Sequence, residues 1–485
     1  MIFRIIESLL IIYYVIYFCI DWLYFIIFAA KIKKEKTTFD KDEIFLAHPV
    51  SIVVPAYNEE VTIIDSVKML LSIDYPDYEI IVVNDGSLDS TLEKLLSSFS
   101  MTKSANLDCT VITTKNVNAI YKSHSGNLLI IDKENGGKAD SVNVGINNAS
   151  KAYICTIDAD SILDRSALKQ TVQPFIDDPA TFVAGGQLAV ANGVILQDNR
   201  VQMSHLPKNI WVQWQIVEYM KSFLISRYSM SKMNANVIMS GAFSLYRLDD
   251  LQKVGGFLTQ HNQAKYLQEL AIEGRQTVCE DMEIVVRLWR YFIDRKQSVR
   301  AKFLPHPLCW TEVPNNPGSL RKQRNRWHCG LAETLSIHSS MIFDPKYKLI
   351  GTFALAYYLI FELLAPVTKI FTLIFIVAAI SLGNINQQWI LLTLVFTTII
   401  STLITSLGSV LIEQWSLKKQ LSSRDALRYK TSRDWLRLVF MSVLGDFIYV
   451  PFRIWVQIEG LIDFINKKNE WYKFDRKGFD RGENQ

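Results

Sequence analysis

Ser51-Ile52-Val53-Val54-Pro55-Ala56-Tyr57-Asn58-Glu59-Glu60 and, farther on, Glu79-Ile80-Ile81-Val82-Val83-Asn84-Asp85-Gly86-Ser87 follow one pattern, in which a short apolar, β-branched run leads straight into polar residues. Runs of this kind read as strands buried on both faces of a sheet. Leu128–Asp132 and Tyr153–Ile157 repeat the pattern. Between the runs, Val61–Leu71, Leu88–Phe99 and Lys138–Asn147 have the periodicity of helices. Such alternation predicts an α/β fold, a mostly parallel sheet with helices on both faces. In sheets of this type ligands bind beyond the carboxyl ends of the strands. The residues that follow each run are therefore the ones to read for chemistry.

After the first run, Tyr57 can stack on a base and Asn58 and Glu59 can bond base or ribose edges, although Asn and Glu also suit a turn that opens a helix. After the second, Asp85 suits the donor groups of a base or ribose, and Gly86 lets the chain turn. No G-x-G-x-x-G follows the first strand, which argues against a dinucleotide site. Gly136-Gly137-Lys138 opens a helix as a pyrophosphate-binding turn would. It is not a P-loop, because Asp132 and Ala139 stand where that motif needs Gly and Ser or Thr. After the fourth run, Asp158 and Asp160 can share a hard divalent cation, or can cap a helix over Ser161–Leu168. Glu280 and Asp281 precede the helical pattern Met282–Tyr291, either as dipole-complementing acids or with one of them as a general base. Ser319 reads as the N-cap of a helix on which Gln323, Arg326 and Trp327 share one face. That face can serve a diphosphate and a sugar ring, or the helix can be a basic amphipathic one at a membrane surface, a role that suits Arg324.

The chain has 485 residues, 49% of them hydrophobic, and its apolar excess lies at the two ends. Ile5–Ala30 is long enough to span a bilayer and is interrupted only by Glu7 and Asp21. It is too long for a signal peptide, and no A-x-A site follows. Lys31, Lys33, Lys34 and Lys36 come next, so the positive-inside rule places the following region in the cytoplasm. Near the carboxyl end, Leu349–Leu382 reads as an interfacial half and a spanning half broken near Pro366, and Trp389–Ile412 as the return span. A basic loop follows, from Lys418 to Arg437. Leu438–Ile465 contains Asp446, Pro451, Arg453, Glu459 and Asp463, and reads as a re-entrant or surface-lying element. The net charge of +4 marks no nucleic-acid surface. The six cysteines form no C-x-x-C pair, which argues against a zinc site or disulfide framework and fits a reducing compartment.

An acid after strand two, D-x-D after strand four, E-D before a helix and Q-x-x-R-W beside a membrane occur in that order. The chain thus resembles the family 2 glycosyltransferases, in particular the branch that makes poly-N-acetylglucosamine, hyaluronan, chitin and cellulose. The resemblance is tight from Pro49 to about Thr334 and covers the membrane tail in arrangement only. It is nearest to the bacterial poly-N-acetylglucosamine synthase type through Asn84-Asp85-Gly86-Ser87, Gly137-Lys138-Ala139, Ser240-Gly241-Ala242-Phe243 and Cys309-Trp310.

The resemblance implies a GT-A type domain over 49–336, a membrane anchor over 1–36, a membrane region over 349–465 and a basic cytoplasmic tail over 466–485. It implies inverting transfer from a nucleotide sugar such as UDP-GlcNAc, at the cytoplasmic face of a multi-pass protein of the cell membrane. Pro55, Tyr57, Glu59, Asp85, Lys138 and Asp158 would bind the nucleotide sugar, with Asp85 on the uridine. Asp158 and Asp160 would hold Mg²⁺ or Mn²⁺. Asp281 would be the base, and Glu280, Gln323, Arg326 and Trp327 would serve the diphosphate and the acceptor. A small accessory membrane subunit fits the same picture; nucleic acid does not. Cys279 replaces the Thr of T-E-D, and the stretches Met101–Ser125 and Thr259–Thr277 are longer than the family's, so both could reshape the acceptor side. The acceptor is a growing polysaccharide on one reading. On a second it is a lipid or lipid-linked molecule receiving one sugar, since three firm spans are few for a self-contained polymer pore. A non-catalytic scaffold or transporter is the third reading, and it leaves the motifs without a task.

Overall fold

The computed structural model describes residues 2–32, 42–104, 111–124, 126–197, 200–202, 206–383, 408 and 431–467. In chain order its strands are β1 (Val50–Ala56), β2 (Tyr78–Asn84), β3 (Met101–Ser104), β4 (Val117–Ser123), β5 (Leu128–Lys133), β6 (Tyr153–Ile157), β7 (Ser161–Leu163), β8 (Thr181–Val190), β9 (Ile195–Gln197), β10 (Arg200–Gln202), β11 (Phe243–Arg247) and β12 (Arg300–Thr311). One sheet has the order β3-β4-β5-β2-β1-β6-β11-β8-β12-β7, and β9 and β10 form a separate hairpin. The four apolar runs are its parallel block β5-β2-β1-β6, with Val50 opposite Tyr78 on one side and Tyr153 on the other. Strands that the apolar runs did not reveal extend this block, so the sheet as a whole is mixed. β4 pairs antiparallel with β5, and β11 antiparallel with β6 and β8.

The block sits at the centre of the core. Val50, Ile52, Val53 and Val54 have no exposed surface, and each such side chain contributes about 1.5–3 kcal/mol of burial. The helix Lys138–Asn148 lies directly on β1 because Gly145 has no side chain. A Cβ there would stand 2.3 Å from Val53 Cγ1. The other two predicted helices are present as Ile63–Leu70 and Thr91–Ser98.

Two local expectations change. Ser161–Leu163 is a strand paired with Cys309–Thr311, and the helix begins only at Ala167. The helix carrying Gln323 is capped by Asn316, whose side chain accepts the Ser319 N–H at 2.9 Å, rather than by Ser319. Pro317 moves the start forward, since a first helical residue needs no N–H and proline's φ already suits it. Met101–Ser104 and Val117–Ser123 form the sheet edge, and none of the described residues of the Met101–Ser125 stretch lines the cavity described below.

Among the described residues, Ile2–Lys31 is the one helix long and apolar enough to cross a membrane. Ile350–Leu363 with Ala365–Ser381, bent by 48°, and Ser432–Phe447 with Tyr449–Ile465, bent by 50°, qualify only as bent pairs. The first bend falls just before Pro366, as predicted, with the proline in the opening turn of the second helix. Asp21, which interrupts the first span, is buried and paired with Lys221 at 3.0 Å. The predicted span Trp389–Ile412, most of the basic loop, Lys33–Lys36 and the tail from Lys468 fall outside the described residues.

Candidate active site

The turns after β1 and β2 are stitched to each other. Asn58 adopts φ 54°, its N–H donates to Ser87 Oγ at 3.0 Å, and its Oδ1 accepts the Leu88 N–H at 2.7 Å. Asn58 thus holds the turn that presents Tyr57 and Glu59. Asp85, at the end of β2, is buried. Its Oδ1 accepts from Lys133 Nζ at 2.7 Å and from the Gly136 N–H at 2.9 Å, and its Oδ2 from the Gly137 N–H at 2.8 Å. The carboxylate therefore shapes the glycine turn in front of Lys138, where Gly137 takes φ 87° at no steric cost. Lys133, not singled out from the sequence, is wholly buried and also pairs with Asp140 at 2.8 Å. Stripping one partner from a buried cluster of this kind costs about 3–5 kcal/mol.

Lys138 is the hub of the site. Its ammonium lies 2.7 Å from Asp158 Oδ1 and 2.9 Å from Glu280 Oε1, and it donates to the Gly241 carbonyl at 3.3 Å. Burial pulls the lysine pKa down, but the two carboxylates outweigh it and hold the ammonium well above its usual value. The same glycine donates its N–H to Asp281 Oδ2 at 3.0 Å, so one residue of the Ser240-Gly241-Ala242-Phe243 stretch links the lysine to the second acid. Asp281 is raised above the usual carboxylate range, first by burial and then by the Glu280 charge, against Lys138, Arg227 and the Gly241 hydrogen bond.

These groups surround a cavity of about 640 Å³ beyond the carboxyl ends of β1, β2 and β6. Pro55, Tyr57, Glu59, Asp85, Lys138, Asp158, Asp160, Glu280, Gln323 and Arg326 all line it. Arg326 Nε is buried there with no hydrogen-bond partner among the described residues, which leaves it available to an anion. Asp281 and Trp327 are absent from the lining. Asp281 stands behind Glu280, and Trp327 is half-buried with the Arg324 guanidinium 4.0 Å above its ring. Arg324 itself is buried and paired with Glu218 at 2.7 Å, a correction to its reading as a membrane-surface residue. The Thr259–Thr277 stretch adds Thr259, Gln260, His261, Gln276 and Thr277 to the cavity wall, none of them singled out individually beforehand.

Asp158 and Asp160 offer hard oxygen donors. Among the described residues, no cluster of three or more His, Cys, Asp or Glu could hold a metal. That donor set fits Mg²⁺ or Mn²⁺, which complete their shell with phosphate oxygens and water, and not a closed protein cage.

Glu280→Gln removes a like charge that raises Asp281 and leaves Lys138 freer to lower it. Both effects move the Asp281 pKa down, so any activity that needs ionised Asp281 should keep its acid limb but at lower pH. A pH profile of kcat/KM for Glu280→Gln against wild type tests this; an acid limb that stays put or moves up would contradict the assignment.

A family model described as "Glycosyltransferase like family 2" matches residues 48–330. The poly-beta-1,6-N-acetyl-D-glucosamine synthase of Staphylococcus epidermidis is 27% identical over 367 residues, which cover 75% of this chain and 73% of that protein. The synthase of the same name from Staphylococcus aureus (strain COL) is 27% identical over 325 residues, 66% of this chain and 63% of that protein. Among solved structures, the mannosyltransferase PcManGT from Pyrobaculum calidifontis, in complex with GDP-Man and Mn²⁺, superposes with a TM-score of 0.50. Its sequence identity is 16%, over 96% of this chain and 99% of that one, so the likeness is one of fold.

Proposed function

We infer that this chain, which belongs to glycosyltransferase family 2 and has the GT-A type of fold, carries N-acetylglucosamine from its UDP donor to the end of a growing polysaccharide. The observation that carries this reading is the single cavity shared by Lys138, Asp158, Glu280, Gln323 and Arg326, a mixed-charge site at strand carboxyl ends that suits a sugar diphosphate. The named activity of the staphylococcal relatives supports the donor and the product. We place the transferase domain at 49–336 on the cytoplasmic side of a cell membrane, where nucleotide sugars are made. Lys31 and the basic residues after it flank the spanning helix on that side.

Transfer proceeds with inversion. Asp281 takes the proton of the acceptor hydroxyl, and that oxygen attacks the anomeric carbon. The bond from that carbon to the diphosphate breaks, and the nucleoside diphosphate leaves with the bonding pair. A raised pKa suits a base that must be ionised yet able to hold a proton. Lys138 and Arg326 face the charge that develops on the leaving group. Gln323 orients the acceptor, and Tyr57, Pro55 and Glu59 flank the nucleoside. A Mg²⁺ or Mn²⁺ ion on Asp158 and Asp160 would supply Lewis-acid neutralisation of the diphosphate.

Chelation with EDTA should therefore abolish turnover, and added Mn²⁺ or Mg²⁺ should restore it. Full activity in thoroughly chelated membranes would remove the metal from the reading. The function itself is tested by incubating membranes that carry the protein with a panel of radiolabelled nucleotide sugars and sizing the product. Label from UDP-GlcNAc in high-mass polymer is expected. Label confined to a lipid extract with one sugar would select the single-addition reading instead, and no incorporation from any donor would overturn both.

A further inference from the structure

Glu218 lies at the end of the helix Ile210–Tyr219, outside every motif read from the sequence. Three groups from two other helices converge on its carboxylate. Arg324 donates to Oε2 at 2.7 Å, Tyr449 Oη donates to Oε2 at 2.7 Å, and Arg453 donates to Oε1 at 3.0 Å. Burial alone would raise this carboxyl, but the two guanidinium groups outweigh it and hold it below the usual range. Arg324 turns its other faces toward the cavity side. It donates to Gln323 Oε1 at 2.8 Å and stacks 4.0 Å above the Trp327 ring.

The helix Tyr449–Ile465 is held against Pro317–Ile337 along its length as well. Arg321 Nε donates to Glu459 Oε2 at 2.7 Å, and Asn325 Nδ2 donates to Asp463 Oδ2 at 2.7 Å. Gly460 permits the close approach, because a Cβ there would stand 2.8 Å from the Asn325 carbonyl oxygen and 3.1 Å from His328 Cβ. Arg453, Glu459 and Asp463, three of the residues that made Leu438–Ile465 a poor span in the sequence, clamp it here.

We propose that Glu218 is a positioning residue: it ties the bent carboxyl-terminal helix pair to Arg324, and through Arg324 sets the posture of Gln323, which lines the cavity, and of Trp327 one turn farther along the same helix, where the acceptor is held. The inference rests on the transfer reading above. A guanidinium that is both ion-paired and stacked has one available orientation, and its planar fork cannot be replaced by an ammonium. When the carboxylate is lost, Arg324 is released from the stack and the acceptor is misplaced, while the donor half of the cavity, built from β1, β2 and β6, is untouched. Misplacement of about 1 Å can cost roughly 10²-fold in rate.

The test uses full-length protein in membranes with UDP-GlcNAc and Mn²⁺. It measures both transfer to polymer and hydrolysis of the donor to free sugar. Glu218→Gln and Arg324→Lys should each lower transfer by about 10²-fold, with donor KM unchanged and hydrolysis persisting, so the ratio of hydrolysis to transfer rises. Glu218→Asp should recover part of the transfer. A merely structural role would lower hydrolysis and transfer together and leave that ratio constant, which overturns the proposal. Should Glu218→Gln fail to fold, Gly460→Ala keeps every charge and pushes the helices apart. The same rise in the ratio supports the proposal, and a wild-type ratio overturns it. Failure of the wild type to transfer sugar overturns the transfer reading and this inference together, whereas wild-type behaviour of Glu218→Gln overturns this inference alone.

Discussion

Asp281→Asn protein is expected to lose sugar transfer by about 10²–10⁴-fold, the usual contribution of a general base, while binding the donor nearly as well as wild type. The donor cavity is lined by Glu280 and not by Asp281, so replacing Asp281 leaves its walls in place. Asn keeps the size of the side chain, and its Oδ1 can still accept the Gly241 N–H that Asp281 Oδ2 now accepts at 3.0 Å, at the expense of the Met282 N–H that Oδ1 of the carboxylate accepts at 2.9 Å. It loses one negative charge in the first turn of the helix Glu280–Asp294, worth about 0.3–1 kcal/mol against the helix dipole, and Glu280 and Glu283 remain in that turn. The fold should therefore survive, and the deficit should lie in kcat with little change in donor KM. Steady-state kinetics with UDP-GlcNAc, beside a direct titration of UDP, would separate the two. Retention of more than about a hundredth of wild-type turnover would be too much for a lost base at the lower bound of that range and would remove Asp281 from the role.

The parallel block was legible because a strand buried on both faces is near-continuously apolar, as Ile52–Val54, Ile80–Val83, Leu128–Ile131 and Tyr153–Cys155 are. The strands that extend it left a weaker trace. β8 is buried throughout but includes Gly185, Gly186 and Gln187, and β12 contains Pro305 and Pro307, so neither shows a clean run. Cavity residues at strand ends were legible for the same reason as the strands: topology places them together whatever their spacing. Ten of the residues singled out from the sequence do meet in one cavity, because strand ends and a helix start converge there.

What stayed hidden depends on contacts between distant segments. Asp85 reads from the sequence as a free acid facing a ligand, yet Lys133, Gly136 and Gly137 already occupy its oxygens. Arg324 sits between Gln323 and Arg326 and looks like one more surface cation. Its burial follows from Glu218, which is 106 residues away in the chain. Neither relation leaves a periodic signal. The Thr259–Thr277 stretch was noted for its length alone, and only folding reveals that both of its ends reach the cavity wall. In the carboxyl-terminal segment the charges at Arg453, Glu459 and Asp463 stood out as interruptions of an apolar stretch, but their partners on two other helices could not be read from the segment itself.

Lys138→Met should be the other severe lesion, and its kinetic signature should differ from that of Asp281→Asn. The ammonium stands between Asp158 and Glu280 at 2.7 and 2.9 Å, and with methionine in its place two carboxylates share the cavity wall with no cation between them. Like charges so placed repel, and one of them is driven toward protonation. The diphosphate loses a positive partner and meets a more negative wall. Removal of one preorganised donor aimed at charge that develops in the transition state costs roughly 10²–10³-fold in rate. Because the lysine faces the donor in the ground state as well as in the transition state, donor KM should rise as kcat falls. In Asp281→Asn, by contrast, KM should hold. Lys138→Arg keeps the charge but presents a planar fork to oxygens arranged around a point charge, so it should recover only part of the loss. Raising Mn²⁺ should not rescue Lys138→Met if Asp158 and Asp160 are the cation's ligands and Lys138 has a separate task. Donor KM equal to wild type in Lys138→Met would mean that the lysine merely braces Asp158 and Glu280, and the diphosphate would then have to be held by Arg326 and the metal.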